Sequence, residues 1–264
     1  MQRPSFATVL LATLVLLFLI LPNLIIVPVS FNPTEFYQFP PKAFSLRWYE
    51  RFFADPRWTD ALVRSIRIGV STATLSTLLG ICAAFALVRG RLVARQAVGA
   101  VILAPLVVPH VVLAAGLFVL YVDLHLLQTE VGLILAHTLI ATPIVAITVM
   151  VALRSTRPEL EMAAMSLGAG YARTFFRVTL PQLAPALWTG AIFAFVTSFD
   201  ETTITIFLAG IKSTTLPMKM WEGITVESNP VLPAASTILL IGSVIPLLLV
   251  ELHRRWRMRR RSAR

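Results

Sequence analysis

Two adjacent carboxylic acids, Asp200 and Glu201, stand in the otherwise apolar stretch SFDETTITIF. An ionised carboxylate is costly inside a membrane, so such residues usually face a cavity and serve a function. Because successive residues of a helix point about 100° apart, packing alone does not explain two acids in a row. We expect at least one acid to line a pathway for a cationic substrate, with hydrogen bonds from Ser198 and Thr202 and a cation–π surface from Trp221.

A second interpretation of this stretch is that its helix ends near the outer membrane surface. The two acids would then be solvated, or they would cap a re-entrant helix. The pattern of residues is compatible with both interpretations, so both remain open at the level of sequence.

The sequence has only a weak match to a nucleotide-binding motif, GIKST from Gly210 to Thr214. A phosphate-binding loop requires G-x-x-x-x-G-K-[ST] between a strand and a helix. Here the first glycine is missing and an extra residue separates Gly210 from Lys212. The sequence also has no metal-ligand spacing and no pairing of a nucleophile with a base. We therefore predict a chain that is not an enzyme and holds no cofactor of its own.

The composition is typical of a membrane protein, since 57% of the 264 residues are hydrophobic and 14% are charged. Soluble domains carry about 25% charged residues. A helix needs about 20 apolar residues to cross the hydrocarbon core. We predict an all-α membrane protein with a single transmembrane domain over residues 1–264. Its six spans are expected near 6–29, 65–88, 97–121, 131–153, 183–207 and 231–252. The first span is too long for a signal peptide and lacks a cleavage site, so we expect it to be retained.

Lysine and arginine are distributed unevenly between the predicted loops. Arg3, the arginines at 89–95 and 154–177 and the tail HRRWRMRRRSAR would share one side of the membrane. Cytoplasmic loops carry an excess of these residues. We therefore expect both termini and the loop 154–181 in the cytoplasm of a bacterial cell, with the chain in its inner membrane. A basic tail beside a span suits lipid head groups, so the net charge of +10 does not imply nucleic acid.

The outer loop 30–64 is also basic, and its sequence explains why. SLRWYERFFADP places Leu46, Tyr49, Phe52 and Phe53 near helical spacing, with Ser45 as a cap and a stop before Pro56. This pattern predicts a short helix lying in the outer membrane interface.

Small residues and prolines give further detail within the spans. A stripe of small side chains at intervals of three or four residues predicts close approach of a neighbouring helix. The stripe consists of Gly69, Ala73, Ser76, Gly80 and Ala84. Prolines inside spans predict kinks or breaks. They are Pro22, Pro105, Pro109, Pro143 and Pro246. We interpret His110 and His137 as hydrogen-bonded packing residues.

The loop LEMAAMSLGAGYARTFFRVTLPQLAPAL, residues 160–187, is unusually regular. Thr156 is a candidate cap for a helix that begins at Pro158. The apolar residues of this helix recur on one face, at Leu160, Ala163, Ala164 and Leu167. Gly168 can end it in a left-handed conformation, and a second short helix fits Tyr171 to Val178 before Pro181 starts the next span. Nothing within this charged loop would bury an alanine-lined face. We therefore expect that face to fit a groove on a partner protein.

This loop resembles the EAA loop of the membrane subunits of type I ABC importers. Ala163, Ala164, Leu167, Gly168, Val178, Leu180 and Pro181 carry the resemblance. Met162 stands where the pattern has its glutamate, and Glu161 lies one position earlier. Within that family, SFDETTITIFLAG, TTLPMKMW and NPVLPAASTILL resemble the second permease of spermidine/putrescine importers.

The resemblance implies that different subunits bind ATP, deliver the solute and form the membrane pathway. The loop would dock into two cytoplasmic ATPase subunits, which bind ATP and magnesium. A solute-binding protein would deliver a polyamine or related amine from outside. The resemblance favours a second, homologous permease over a second copy of this chain as the subunit that completes the pathway. The coupling residues would be Glu161, Ala163, Ala164, Leu167, Gly168, Phe175 and Pro181.

Two alternatives follow from the same sequence. An importer of this class could carry another cargo, such as an opine, a phosphonate or ferric iron. An ion-coupled secondary transporter is less favoured, because the first four predicted spans offer almost no carboxylates for an ion site.

Overall fold

The computed structural model describes residues 5–226 and 229–262, with side chains as far as residue 252. Regular structure in these residues is helical throughout. Five helices are long and apolar enough to cross a membrane, and a bent pair supplies a sixth crossing if its two halves count as one span. The predictions made for Arg3 and for the side chains of the arginine tail lie outside the described residues.

The first, second, fourth and sixth predicted spans are present as long helices. They are α1 (Phe6–Val29), α3 (Pro56–Arg89), α6 (Glu130–Arg154) and α12 (Leu232–Ser262). Helix α3 begins at Pro56 rather than at residue 65, because the Asp55 carboxylate accepts a hydrogen bond from the Arg57 N–H at 2.9 Å. This cap and a proline at the first position are both favourable for a helix start.

The third predicted span, 97–121, is not one straight helix. It consists of α4 (Arg95–Leu103), a 3-10 turn (Ala104–Leu106) and α5 (His110–Asp123), and the two helices are bent by 100°. Pro105 lies in the turn and Pro109 directly precedes α5. Neither proline can donate a backbone hydrogen bond, which explains why the break falls there.

The fifth predicted span is displaced along the chain. A continuous helix over Tyr171–Phe199 comprises α8 (Tyr171–Thr174), a π turn (Phe175–Thr179) and α9 (Leu180–Phe199). The prediction of a separate helix ending at Val178 is therefore wrong, as is the predicted end of the span at residue 207. The helix ends at Phe199, and a short helix, α10 (Thr203–Leu208), follows.

Helices α3, α6 and α9 pack against one another at the centre of the bundle. A Cβ atom on Gly80 would lie 2.6 Å from Val145 Cγ1, and one on Gly69 would lie 2.9 Å from Phe195 Cδ2. The backbone of α3 therefore approaches α6 and α9 more closely than any larger residue would allow. The predicted close packing along the small-residue stripe is confirmed.

Two helices cover one end of this core. Helix α2 (Arg47–Ala54) buries Trp48 and Phe52 against α3 and α12, while Phe53 is 61% exposed. Ser45 is not the cap of α2 as expected: Leu46 holds the cap position, and Ser45, one residue earlier, accepts a hydrogen bond from the Arg47 N–H at 3.2 Å. Helix α11 (Leu216–Thr225) buries Leu216 in the same cluster.

The two ends of the bundle are marked by ion pairs. Arg64 donates to Glu130 at 3.1 Å and to the Thr214 carbonyl at 3.0 Å, which gathers α3, α6 and the loop before α11. Arg89 lies about 37 Å further along α3, at 1.5 Å per residue, and contacts Glu161. We call the end of the bundle that contains Arg64 and Glu130 the Arg64 end, and the end that contains Arg89 and Glu161 the loop end.

Candidate functional site

The predicted loop helix forms α7 (Pro158–Ser166) at the loop end. It closes with Gly168 at φ +86°, where the Gly168 N–H donates to the Met165 carbonyl and the Ala169 N–H donates to the Ala164 carbonyl. This pair of hydrogen bonds is the Schellman arrangement, which places a left-handed residue directly after the helix. The prediction for Gly168 is confirmed.

Thr156 does not cap α7, contrary to expectation. Its hydroxyl donates to the Leu153 carbonyl at 2.7 Å, and Arg157 stands at the cap position without a side-chain hydrogen bond. The reason is that Pro158 occupies the first helical position, so that the cap position falls on its immediate neighbour.

The outward side of the loop is apolar and uncovered within this chain. Leu160 is 48% exposed and Leu167 is 90% exposed, while Ala163 is exposed and Ala164 is half-buried between them. Further exposed apolar side chains surround this face. They are Met162, Met165, Tyr171 and Phe176. We call Leu160, Met162, Ala163, Met165, Leu167, Tyr171 and Phe176 the docking face. Apolar groups gathered on this scale are typical of a surface that meets a partner.

Glu161 points the other way, into its own chain. Its two carboxylate oxygens meet the Arg89 guanidinium, with Nη1–Oε2 at 2.7 Å and Nη2–Oε1 at 2.9 Å. The Thr179 hydroxyl donates to Oε1 at 2.7 Å. Burial alone would raise the pKa of Glu161, but the hydrogen bonds from Arg89 and Thr179 and the charge of Arg89 outweigh it and hold the pKa below its ordinary value of 4.5.

The aromatic residues of the loop divide between inside and outside. Phe175 is half-buried and packs edge-on against Phe85 of α3, with ring centroids 5.5 Å apart. The Arg89 guanidinium also lies over the Phe85 ring at 5.3 Å. Phe175 therefore fastens the π turn to α3, whereas Pro181 remains exposed at the start of α9.

The predicted pathway residues do not form one cluster. Asp200 is the residue after α9 and lines a cleft of about 380 Å³ between α1, α11 and α12. Polar groups from α1 and α12 reach the same cleft, namely Asn23, Ser236 and Ser243. Asp200 thus faces open space that a solute could enter.

Glu201 has a different environment from its neighbour, because it is only 6% exposed. Its Oε1 accepts from the Ile204 N–H at 2.9 Å, and its Oε2 lies 2.9 Å from His110 Nδ1. Glu201 therefore caps α10 and joins it to the first residue of α5. This hydrogen bond to the start of α10 is the one feature that the structure shares with the second interpretation, in which the two acids are solvated or cap a re-entrant helix.

Ser198 lies in a buried polar network that joins four helices, α3, α6, α9 and α10. His137 of α6 contacts Ser198 at 2.8 Å through Nδ1 and Thr205 at 3.2 Å through Nε2, and Ser198 donates to Thr72 at 3.4 Å. The expectation that His137 is a hydrogen-bonded packing residue is confirmed. His110 differs, since its side chain is 42% exposed and its Nδ1 lies 2.9 Å from the Glu201 carboxylate.

The last two predicted pathway residues lie apart from the cleft lining. Thr202 stands at the cap position of α10 and is half-buried, and its hydroxyl donates to the Asp200 carbonyl at 3.4 Å. Trp221 of α11 is 49% exposed, and the adjacent Met220 lines the cleft instead.

Residues 76–258 match the family described as the binding-protein-dependent transport system inner membrane component. The chain belongs to this family. Over 234 residues the permease is 35% identical to the putrescine transport system permease protein PotI of Escherichia coli (strain K12), covering 86% of this chain and 83% of that protein. It is 29% identical over 235 residues to the spermidine/putrescine transport system permease protein PotC of Haemophilus influenzae, covering 89% and 91% of the two chains.

Solved structures share the fold of this permease. A bacterial ABC transporter involved in import of the acidic polysaccharide alginate has a TM-score of 0.71 at 16% identity, over 97% of this chain and 99% of that chain. An amino acid ABC transporter with histidines has a TM-score of 0.60 at 15% identity, over 79% and 97%. The predicted all-α fold of an ABC importer permease is confirmed.

The family membership fixes the coarse function. The chain is a multi-pass inner membrane permease subunit of an ABC importer, and ATP is bound by a separate ATPase subunit. The predictions of a non-catalytic chain without its own nucleotide are confirmed by the same membership.

The sequence did not predict that Arg89 and Thr179 contact Glu161, or that His110 contacts Glu201. Arg89 is separated from Glu161 by more than 70 positions, so no local spacing relates them. The position of Arg89 in the sequence could have indicated that it lies near the loop, because Arg89 is the first cation after the second apolar stretch. A charge there has to lie at the same membrane surface as the loop 154–181.

Proposed function

We propose that this permease forms part of the translocation pathway for a polyamine or related amine, driven by ATPase subunits that dock on the docking face. The proposal that ATPase subunits dock here is supported by the geometry of the loop. Exposed apolar residues lie on α7 and the segment after it, while Glu161 of α7 and Phe175 of the π turn fix this loop to α3. A surface built in this way can receive a force and pass it on.

The orientation follows from the same geometry and from charge. The loop end carries Arg89, Arg154, Arg173 and Arg177, and such residues accumulate on the cytoplasmic side. We place this end and both termini in the cytoplasm, where ATPase subunits are found, and the Arg64 end outside, where a solute-binding protein delivers its cargo. Residues 1–264 then act as one transmembrane domain, paired with a second, homologous permease.

The cargo is inferred from the relatives and from Asp200. Two relatives at 35% and 29% identity carry putrescine or spermidine in their names. A carboxylate beside a cleft suits a cationic amine, because opposite charges attract most where water is partly excluded. Ser236, Ser243 and Asn23 add hydrogen-bonding groups to the cleft wall.

The test is to purify this permease with its companion permease, ATPase subunits and solute-binding protein, and to measure ATP hydrolysis in nanodiscs. We expect the binding protein to stimulate hydrolysis when loaded with putrescine or spermidine. Stimulation by an opine, a phosphonate or ferric iron instead would keep the importer and reject the amine. Uptake that continues without ATP and stops when an ion gradient is collapsed would reject the ATPase-driven mechanism altogether.

A further inference from the structure

We propose that Arg89, Glu161 and Thr179 form an intrachain clamp that makes α7 move as one body with α3 and α9. Arg89 is the last residue of α3, Glu161 lies in α7, and Thr179 is the last residue of the π turn before α9. One carboxylate therefore ties together three helical segments that are far apart in sequence. This inference rests on the proposed docking of ATPase subunits, and it assigns the residues that position the docked helix.

The clamp differs from an ordinary surface ion pair. Exposed pairs contribute little, because water screens them and two long side chains lose their freedom. Here the Glu161 side chain is 15% exposed and the Arg89 side chain 31% exposed. The guanidinium engages both carboxylate oxygens, an arrangement that fixes direction as well as distance. The buried Thr179 hydroxyl adds a third hydrogen bond at 2.7 Å.

Neighbouring contacts reinforce the same connection. Arg89 Nη2 also donates to the Thr156 hydroxyl at 3.2 Å, in the turn that leads into α7. Phe85, one turn earlier on α3, packs against Phe175 of the π turn. The clamp residues and this aromatic pair contact α3, whereas the residues of the docking face are exposed.

The packing of α3 in the bundle determines how a movement of α7 would be transmitted. Helix α3 packs closely along both α6 and α9, with Gly80 against Val145 of α6. A displacement of α7 that reaches Arg89 is therefore passed to the core of the bundle. Without the clamp, α7 keeps its contacts with α8 and the π turn, and it is joined to α6 and α8 by the short backbone segments 155–157 and 167–170.

The experiment uses the assembled complex in proteoliposomes with radiolabelled putrescine as the probe. We expect Arg89→Ala and Glu161→Gln to retain the ATPase subunits but to lower putrescine uptake per ATP hydrolysed by at least about fivefold, the lower range of coupling between sites. Thr179→Val, which replaces the hydroxyl with a methyl group, is expected to fall between these variants and wild type. The reversed pair Arg89→Glu with Glu161→Arg is expected to recover part of the loss.

Arg91→Ala is the matched control, because it removes one exposed cation at the same end, two positions further on. A purely structural role for the clamp would lower the amount of assembled complex and leave the ratio of uptake to hydrolysis unchanged. If wild type takes up putrescine and Arg89→Ala has the same ratio of uptake to ATP hydrolysis, the clamp proposal is wrong. The proposed function is not affected by that result. Loss of the ATPase subunits from the wild-type complex overturns the proposed function instead.

A second readout does not depend on the cargo. Spin labels at Glu159→Cys on α7 and Leu79→Cys on α3, both exposed positions, report the distance between the two helices after Cys82→Ser. In the wild-type complex we expect this distance to stay constant when ATP and vanadate are added. In Arg89→Ala we expect it to change or to broaden. A distance that changes equally in both proteins contradicts the clamp.

Discussion

Glu201 Oε2 lies 2.9 Å from His110 Nδ1, and this contact joins the first residue of α5 to the cap of α10. Both helices begin at breaks in the chain, one after Pro109 and one after Asp200. A single buried carboxylate therefore fixes the two irregular segments relative to each other. The neighbouring Asp200 remains free of this role and faces the cleft, so the two adjacent acids have separate tasks.

Removal of the Glu201–His110 contact is expected to destabilise the bundle. In Glu201→Gln the amide oxygen can still accept from the Ile204 N–H, so the change isolates the contact with His110. We expect a loss of about 1–3 kcal/mol, the usual cost of leaving a buried polar group without its hydrogen-bond partner. Thermal unfolding in detergent measures it, and Glu201→Gln, His110→Ala and the double variant form a cycle. Additive losses would show that the two residues do not interact.

Asp200→Asn is expected to lower amine uptake while leaving assembly intact. A solvated carboxylate attracts a cation at 4 Å with ~1 kcal/mol, which corresponds to roughly a fivefold change in occupancy. Uptake of radiolabelled putrescine by the reconstituted complex measures the effect. Asp123→Asn is the matched control, because Asp123 is an exposed acid at the end of α5. Equal uptake by wild type and Asp200→Asn would remove Asp200 from the pathway.

Gly168 is expected to tolerate no large side chain in the working complex. A Cβ atom there meets nothing within 4 Å in this chain, so the folded permease has room for it. The left-handed backbone costs about 1–2 kcal/mol for a residue with a side chain. Gly168→Asp also projects a charge beside the docking face. We therefore expect normal membrane insertion and loss of ATP-driven uptake.

Gly170 provides the comparison for Gly168. Its φ is −69°, which any residue adopts, and a Cβ atom there also meets nothing within 4 Å. Gly170→Ala is expected to retain uptake near the wild-type level. If Gly168→Asp took up putrescine as well as Gly170→Ala does, the docking face would not extend to residue 168.

Gly80→Ala is expected to disturb the central packing of the bundle. The added Cβ atom would lie 2.6 Å from Val145 Cγ1 and 3.1 Å from the Ala146 backbone nitrogen. Overpacking of this kind costs about 1–3 kcal/mol, which thermal unfolding of the purified permease would detect. Val145→Ala in the same chain should recover part of the loss. Gly116→Ala is the control, since no atom lies within 4 Å of its added Cβ.

The clamp at Glu161 is expected to be insensitive to pH in the physiological range. The folded state lowers the pKa of Glu161 below 4.5, so its stabilisation is complete above that value and is lost as pH falls through the lowered pKa. The distance between labels at positions 159 and 79 should stay constant from pH 8 to about pH 5 and broaden only in stronger acid. Broadening near pH 6–7 would show that another group controls the contact.

Sequence patterns predicted those parts of the fold that depend on local chemistry. Apolar length located α1, α6 and α12 closely, and the small-residue stripe predicted the approach of α3 to its neighbours. Gly168 was predicted because only a few residues adopt a left-handed conformation readily. The coupling role of the loop came from its resemblance to a known motif rather than from periodicity alone.

Long-range contacts and chain breaks were beyond these patterns. Hydropathy treats residues 97–121 as one span because it averages over Pro105 and Pro109, while the structure bends there by 100°. The end of the fifth span was misplaced because ITIF after Glu201 is apolar enough to continue a helix. Glu161 was expected to serve the partner, and only the fold shows that Arg89 occupies its carboxylate.

The central claim is that the docking face lies in the cytoplasm against an ATPase subunit. The most direct test places single cysteines at Leu167 and Ile211, which are 90% and 96% exposed at the loop end and the Arg64 end. With Cys82→Ser, we expect Leu167→Cys to crosslink to the ATPase subunit and to resist an impermeant maleimide added outside the membrane. Ile211→Cys should react with that maleimide. Reaction of Leu167→Cys from outside, or its failure to crosslink in the assembled complex, would contradict the account.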